Sequence, residues 1–216
     1  QSRGLGDVYK RQVGASAILL EGPPEPEIIN KIFFEEKPTL FFGVPTLFAI
    51  LLASDNLPTK DEHDVRLCIS AGEPLPSDLL ARWQGTFGVD ILDGLGTTEM
   101  LHIFVSNRPD EITPGSTGRV VPGYQIRLIN DNNEVCAPGE MGVLEVSGPS
   151  SALMYWGQRQ KTKDTFKGTW TRTGDNYSIS EKGVMTYGGR NDDMLKVGGI
   201  YAVSYTHLTL PTNGTV

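Results

Sequence analysis

From residue 13 to about residue 87, short apolar runs alternate with stretches whose apolar positions recur at helical spacing, and glycine or proline separates them. Ala15-Ser16-Ala17-Ile18-Leu19-Leu20 reads as an apolar strand. Pro26 precedes a helix that puts Ile28, Ile29, Ile32 and Phe33 on one face, and Pro38 stops it. Thr39-Leu40-Phe41-Phe42 forms the next strand, and Pro45 suits the first turn of a helix carrying Leu47, Ile50, Leu51 and Leu52. Residues 66–70 make a third strand. Ser77 is then expected to cap a helix lined by Leu79, Leu80, Trp83 and Phe87, and residues 89–92 make a fourth strand. Strand and helix in alternation, joined by short loops, predict a parallel sheet covered by helices on both faces.

After about Pro114 the pattern changes. Tyr124-Gln125-Ile126-Arg127-Leu128-Ile129 runs into the turn Asn130-Asp131-Asn132-Asn133, and Gly142-Val143-Leu144-Glu145-Val146-Ser147 follows Pro138-Gly139-Glu140. Residues 176–180 and 184–187 flank Glu181-Lys182-Gly183, a hairpin signal. These segments predict a smaller antiparallel, β-barrel-like lobe. The expected fold class is therefore α/β, a parallel sheet with flanking helices over 13–113 and the β-rich lobe over 114–190. Residues 1–12 and 202–216 show neither period and resemble translated adaptor sequence, so both are expected to be non-native tails.

A hydrophobic content of 38% and a charged content of 21% over 216 residues describe a chain able to bury a sizeable core. The net charge of −7 argues against a nucleic-acid partner, which wants a basic face. Cys68 and Cys136 lie far apart without metal-type spacing, and Cys68 sits in an apolar run as a core residue would. No apolar run approaches a membrane span and no signal peptide opens the chain, so no membrane partner and a cytoplasmic location are expected.

The segment with most chemistry is Asp93-Gly94-Leu95-Gly96-Thr97-Thr98-Glu99-Met100-Leu101-His102-Ile103-Phe104. Its glycines allow close approach of backbone to a ligand. Thr98 can donate to a phosphate oxygen, and Glu99 can hold a hard cation such as Mg²⁺. A glycine turn followed by ordinary polar residues reads equally well from this segment alone. Three more segments accompany it in order: Ser70-Ala71-Gly72-Glu73-Pro74-Leu75-Pro76, Trp170-Thr171-Arg172-Thr173-Gly174-Asp175, and Gly189-Arg190-Asn191-Asp192-Asp193-Met194-Leu195-Lys196-Val197-Gly198-Gly199-Ile200-Tyr201.

In this order and spacing, the four segments resemble the adenylate-forming acyl-CoA synthetase superfamily. Residues 93–107 and 192–201 look most like benzoate-CoA ligases. The resemblance implies a two-step reaction. A carboxylate and ATP give an acyl-adenylate and pyrophosphate, then coenzyme A displaces AMP to give a thioester. The implied substrate is an aromatic carboxylate such as benzoate or a hydroxybenzoate.

By the same resemblance, Thr98 contacts the α-phosphate, Glu99 holds Mg²⁺, and Asp175 accepts from the ribose hydroxyls with Arg190 as a second ribose contact. Gly72, Glu73, Pro74, Asp93 and Gly94 match the wall around the adenine. Ala71, Gly94, Gly96, His102 and Ile103 match the acyl pocket, with the two glycines leaving a flat slot for an aromatic ring. His102 is read equally as a hydrogen-bond donor to substrate or as a half-buried histidine satisfied by backbone. Residues 191–201 match a hinge to a C-terminal domain, pivoting at Asp192. Lys196 resembles a lysine of the thioester step, and Gly198 and Gly199 fit the coenzyme A arm.

The 216 residues contain nothing like the family's Ser/Thr/Gly-rich phosphate loop ending in lysine, nor its lysine-bearing C-terminal domain. The isolated chain is therefore expected to be inactive or nearly so. Other readings are a non-catalytic nucleotide-binding remnant and an adenylating enzyme for a fatty acyl or carrier-protein-loading substrate. A generic dinucleotide-binding domain is disfavoured, because no Gly-x-Gly-x-x-Gly follows the first strand.

Overall fold

The computed structural model describes residues 14–191 together with the backbone of two strands, Met194–Val197 and Ile200–Val203. Asp192, Gly198, Gly199 and the two expected tails lie outside the described residues, apart from Ala202 and Val203 in the last strand.

Helix α1 (Pro26–Glu35) begins with proline in its first turn and buries Ile29, Asn30 and Phe33. It is followed by β1 (Leu40–Gly43), α2 (Pro45–Leu52), β2 (Leu67–Ala71), α3 (Ser77–Phe87) and β3 (Ile91–Gly96). β1, β2 and β3 pair in parallel, as a strand–helix alternation requires. The apolar faces of the three helices meet one side of the sheet at Phe41, Cys68 and Ile91, which share a register row. Phe48 and Trp83 pack edge to face in the middle of this core, with ring centroids 4.8 Å apart. Burial there pushes the Cys68 thiol up to about 12, as suits a core residue.

Several finer expectations need correction. All three helices join one core cluster, so among the described residues they cover one face of the sheet and not both. On the other face Leu40 and Phe42 are 36% and 54% exposed. Residues 15–20 form no strand, and Ile18, Leu19 and Leu20 are exposed. A strand needs a neighbour to satisfy its backbone, and none lies beside this run among the described residues.

In α2 the buried residues are Pro45, Phe48 and Leu51, while Ile50 is exposed. That helix is apolar nearly all round, so periodicity could not choose its inner face. Ser77 does not cap α3; Pro76 occupies the cap position and Ser77 is the first helical residue. The expected inner face of α3, Leu79, Leu80, Trp83 and Phe87, is buried as read.

The sheet also continues beyond its parallel part. A 3₁₀ turn at Thr98–Met100 leads to β4 (Ile103–Ser106), antiparallel to β3, and β5 (Arg119–Val120) adds antiparallel to β4. The link from Gly96 to Ile103 is too short for the crossover that a parallel neighbour needs, so the chain folds straight back.

A second sheet is wholly antiparallel, in the order β10 (Met185–Arg190), β9 (Trp170–Ile179), β7 (Met141–Ser147), β6 (Gln125–Ile129). A short α4 (Arg159–Thr165) and β8 (Phe166–Lys167) precede β9, and β8 pairs with it. β9 begins well before the expected residue 176, so the Thr171–Asp175 segment lies in a strand and not in a loop. Asn130 shapes the expected turn by accepting from Asn132 N–H and Glu134 N–H, both at 3.0 Å.

Met100, Phe104 and Val105 of the first sheet's hairpin pack into the core of the second, against Leu128, Leu144, Val146, Tyr177 and Met185. The backbones also meet, where Thr117 N–H donates to the Met185 carbonyl at 2.9 Å and Met185 N–H to the Gly118 carbonyl at 2.8 Å. The last two strands, β11 (Met194–Val197) and β12 (Ile200–Val203), pair antiparallel with each other; Lys196 lies in β11. Among the described residues no helix is long and apolar enough to cross a membrane.

Candidate active site

The C-terminal ends of β2 and β3 meet the inner face of β9 and β10 around a cleft of about 420 Å³ that is open to solvent. Ligand sites in open α/β sheets lie at this end of the strands, where backbone groups and loop side chains converge. Gly72, Glu73 and Pro74 come to it from the loop after β2, and Asp93, Gly94 and Gly96 from β3. Asp175 comes from β9, so residues some eighty positions apart line one opening. Gly72 sits at φ 99°, a conformation that bars most side chains and turns the chain back at the rim.

Asp93 is 5% exposed, and its Oδ1 meets no hydrogen-bond donor among the described residues. Burial pushes its carboxyl up to about 7, with the Thr117 hydroxyl and the N–H groups of Gly94 and Leu75 pulling the other way. Thr117 also lies 3.3 Å from the Tyr177 hydroxyl, whose ionisation burial drives upward. Asn107 fixes the loop that brings Thr117 there, donating to the Ser116 carbonyl at 2.7 Å and accepting from Thr113 N–H at 3.0 Å. Asp93 lines the cleft, so a ligand donor can approach its carboxyl there.

Asp175 is held on the other side. Arg190 Nη1 donates to its Oδ1 at 3.0 Å, and Asp175 N–H donates to Thr173 Oγ1 at 3.1 Å. The two residues face each other in the β9–β10 register, beyond an irregularity at Gly188. Arg190 also donates to the Thr173 carbonyl at 3.4 Å and is not among the residues lining the cleft. Its visible role is to hold Asp175. Glu73 accepts from the Thr46 hydroxyl at 2.8 Å, which ties the cleft's rim to the start of α2.

Thr98 and Glu99 sit on the 3₁₀ turn that leaves the cleft floor. Thr97 starts that turn by accepting from Met100 N–H at 3.3 Å. Thr98 is exposed and its hydroxyl makes no hydrogen bond among the described residues. Glu99 is half-buried, and the Tyr155 hydroxyl donates to its Oε1. Burial, reinforced by this carboxylate, pushes the Tyr155 hydroxyl up to about 12, so it stays a donor across the working pH range.

The turn closes tightly. His102 N–H donates to the Met100 carbonyl at 2.8 Å around Leu101, which adopts φ 70° and ψ −45°. A positive-φ γ-turn of this kind is strained for leucine. Leu101 is 53% exposed, so its side chain offers little in return. Leu101→Gly is expected to raise stability by about 1 kcal/mol, the relieved strain less the glycine entropy, as read by denaturant unfolding.

The acyl-pocket residues are only partly gathered. Ala71 pairs with Gly94 in register, and Ile103 packs on Gly94. A Cβ on Gly94 would lie 2.8 Å from Ile103 Cδ1, and one on Gly96 would lie 2.7 Å from the His102 carbonyl oxygen. The side on which a Cβ would stand is thus taken by β4 at both glycines, and both also line the cleft. His102 is exposed and not half-buried.

Sequence reasoning missed Thr117, Tyr177 and Tyr155. The Thr117 signal lay in Pro114-Gly115-Ser116-Thr117-Gly118. Gly118 adopts φ 91°, and a Cβ there would meet the Ser106 backbone at 2.3 Å, so the turn admits no other residue.

The chain is similar to known proteins. Residues 11–156 match the AMP-binding enzyme family. The benzoate–CoA ligase of Thauera aromatica is 50% identical over 199 residues, 92% of this chain and 38% of that protein. The 4-hydroxybenzoate–CoA/benzoate–CoA ligase of Rhodopseudomonas palustris is 46% identical over 201 residues, 92% of this chain and 37% of that protein. A solved structure of a benzoate CoA ligase from Burkholderia xenovorans LB400 superposes with a TM-score of 0.83 at 47% identity, covering 88% of this chain and 39% of that one. The chain thus spans less than half the length of each of these proteins.

Proposed function

The chain belongs to the AMP-binding enzyme family, and on that premise we propose that it is the adenylate-binding part of an aromatic-acid–CoA ligase. The observation that carries this reading is the cleft between Asp93 and Asp175, which offers acceptors at two separated points. The Asp93 carboxyl, in the cleft wall, suits the exocyclic amino group of adenine. The Asp175 carboxylate, held by Arg190, suits a ribose diol, because an ionised carboxylate only accepts. Gly72, Glu73, Pro74 and Gly94 complete the wall around the base. Ala71, Gly94, Gly96, His102 and Ile103 border the acyl group, a benzoate or hydroxybenzoate as in the similar ligases.

The reaction joins the carboxylate to the α-phosphorus of ATP with loss of pyrophosphate, and coenzyme A then displaces AMP to form the thioester. The Thr98 hydroxyl, on its exposed turn, serves the α-phosphate. Glu99 suits a magnesium ion, since that ion takes one or two carboxylates and draws its other ligands from phosphates and water. When bound, the cation would neutralise phosphate charge. Asp192 acts as the hinge, Lys196 in the thioester step, and Gly198 and Gly199 along the coenzyme A arm.

Within these 216 residues nothing resembles the glycine-rich lysine loop that would cradle the β- and γ-phosphates. The isolated chain is therefore expected to bind AMP without supporting carboxylate-dependent pyrophosphate exchange. Radiolabelled exchange with benzoate checks this; turnover above the no-carboxylate blank contradicts it.

A further inference from the structure

The turn that carries Thr98 and Glu99 is gripped from outside by a segment some fifty residues later in the chain. Ser150 Oγ donates to the Met100 carbonyl at 2.7 Å, and Ala152 N–H to the Glu99 carbonyl at 2.7 Å. Between these backbone grips and the start of α4, Tyr155 reaches back and donates to Glu99 Oε1. Glu99 Oε2 takes no hydrogen bond among the described residues.

Tyr155 is itself well fixed. Its N–H donates to Thr162 Oγ1 at 3.1 Å, and its ring packs on Phe166 with centroids 5.5 Å apart. Lys161 Nζ stands 4.3 Å from the ring centroid, drawing electron density from the ring and strengthening the hydroxyl as a donor. A glutamate on a surface turn would otherwise sample many rotamers and lose that freedom when it takes up a ligand.

We propose that Tyr155 is a positioning residue for Glu99, holding one carboxylate oxygen so that the other is presented to the cation of the bound nucleotide. The inference rests on the reading of Glu99 as the cation holder. It gives the 150–155 segment a role in the reaction without contact to substrate: Tyr155 acts through Glu99 and fixes where the charge stands.

The test is Mn²⁺ binding to the 216-residue chain saturated with AMP, followed by the loss of the free-ion electron paramagnetic resonance signal. Glu99→Gln, Tyr155→Phe and the parent chain are compared, with AMP affinity measured in parallel. Tyr155→Phe is expected to weaken Mn²⁺ about fivefold, the cost of immobilising one free side chain, and to change AMP affinity less than twofold. Glu99→Gln should remove the site.

Unchanged or tighter Mn²⁺ binding in Tyr155→Phe, with Glu99→Gln still abolishing it, overturns the positioning role alone; tighter binding would mean that the hydroxyl competes with the cation. Insensitivity to Glu99→Gln overturns the reading of Glu99, and the proposal falls with it. Tyr155→Phe keeps the ring against Phe166 and Lys161, and a thermal midpoint near the parent's confirms that it folds.

Discussion

Asp93→Asn is expected to abolish most of a pH dependence of stability that the parent chain shows between about pH 4 and pH 7. Burial holds the folded carboxyl up at about 7, against an ordinary value of 3.8. The folded state therefore prefers the neutral acid. Below about pH 4 both states are protonated and the parent is at its most stable with respect to this group. As pH rises toward 7 the unfolded chain releases its proton and the folded chain does not, so stability falls, and above 7 the loss is complete. The size of the fall is on the order of 4 kcal/mol. Asparagine is neutral throughout and still offers an acceptor oxygen to Thr117, Gly94 and Leu75. Denaturant unfolding at a series of pH values checks this, and an asparagine variant that keeps the parent's slope shows that another group is responsible.

Asp175→Ala is expected to cost about 3–5 kcal/mol, because it strips the carboxylate from a guanidinium that is itself buried. The side chains of Arg190 and Asp175 are 12% and 8% exposed and lie 3.0 Å apart. Arg190 keeps its bond to the Thr173 carbonyl and loses the Asp175 carboxylate. The double variant Asp175→Ala/Arg190→Met should recover much of the loss, since no charge is then left buried. Equal instability in single and double variants, by urea unfolding, would mean that the pair is not what holds β9 to β10 at this point. Asp175→Asn keeps the shape and should weaken AMP more than tenfold by removing one acceptor-only group from the diol.

How far these sites could be read from residues alone follows from how local each one is. The inner face of α3 and the parallel pairing of β1 to β3 follow from periodicity and loop length, and the structure has both. The cleft's Gly72-Glu73-Pro74 rim, Asp93 and Asp175 were legible because each sits in a short motif. Thr117, Tyr177 and Tyr155 were not, because what gives them a role is a partner far along the chain: Tyr155 and Glu99 are 56 positions apart, and Thr117 and Tyr177 are 60 apart. Residues 15–20 misled because an apolar run states a preference for burial and says nothing of a neighbouring strand. Gly94 and Gly96 were legible as a pair, and what packs on them was not. A missing Cβ leaves space, but only the fold says that Ile103 and the His102 carbonyl take it.

The most direct test of the cleft as an adenylate site is calorimetric titration of the 216-residue chain at pH 8 with AMP and, separately, with IMP. At that pH Asp93 is ionised and purely an acceptor, so it favours the adenine amino group and opposes the hypoxanthine carbonyl. Saturable AMP binding is expected, with IMP at least about tenfold weaker, the worth of one hydrogen bond to a charged group. Equal affinity for the two nucleotides, or no AMP binding at millimolar concentration, would contradict it.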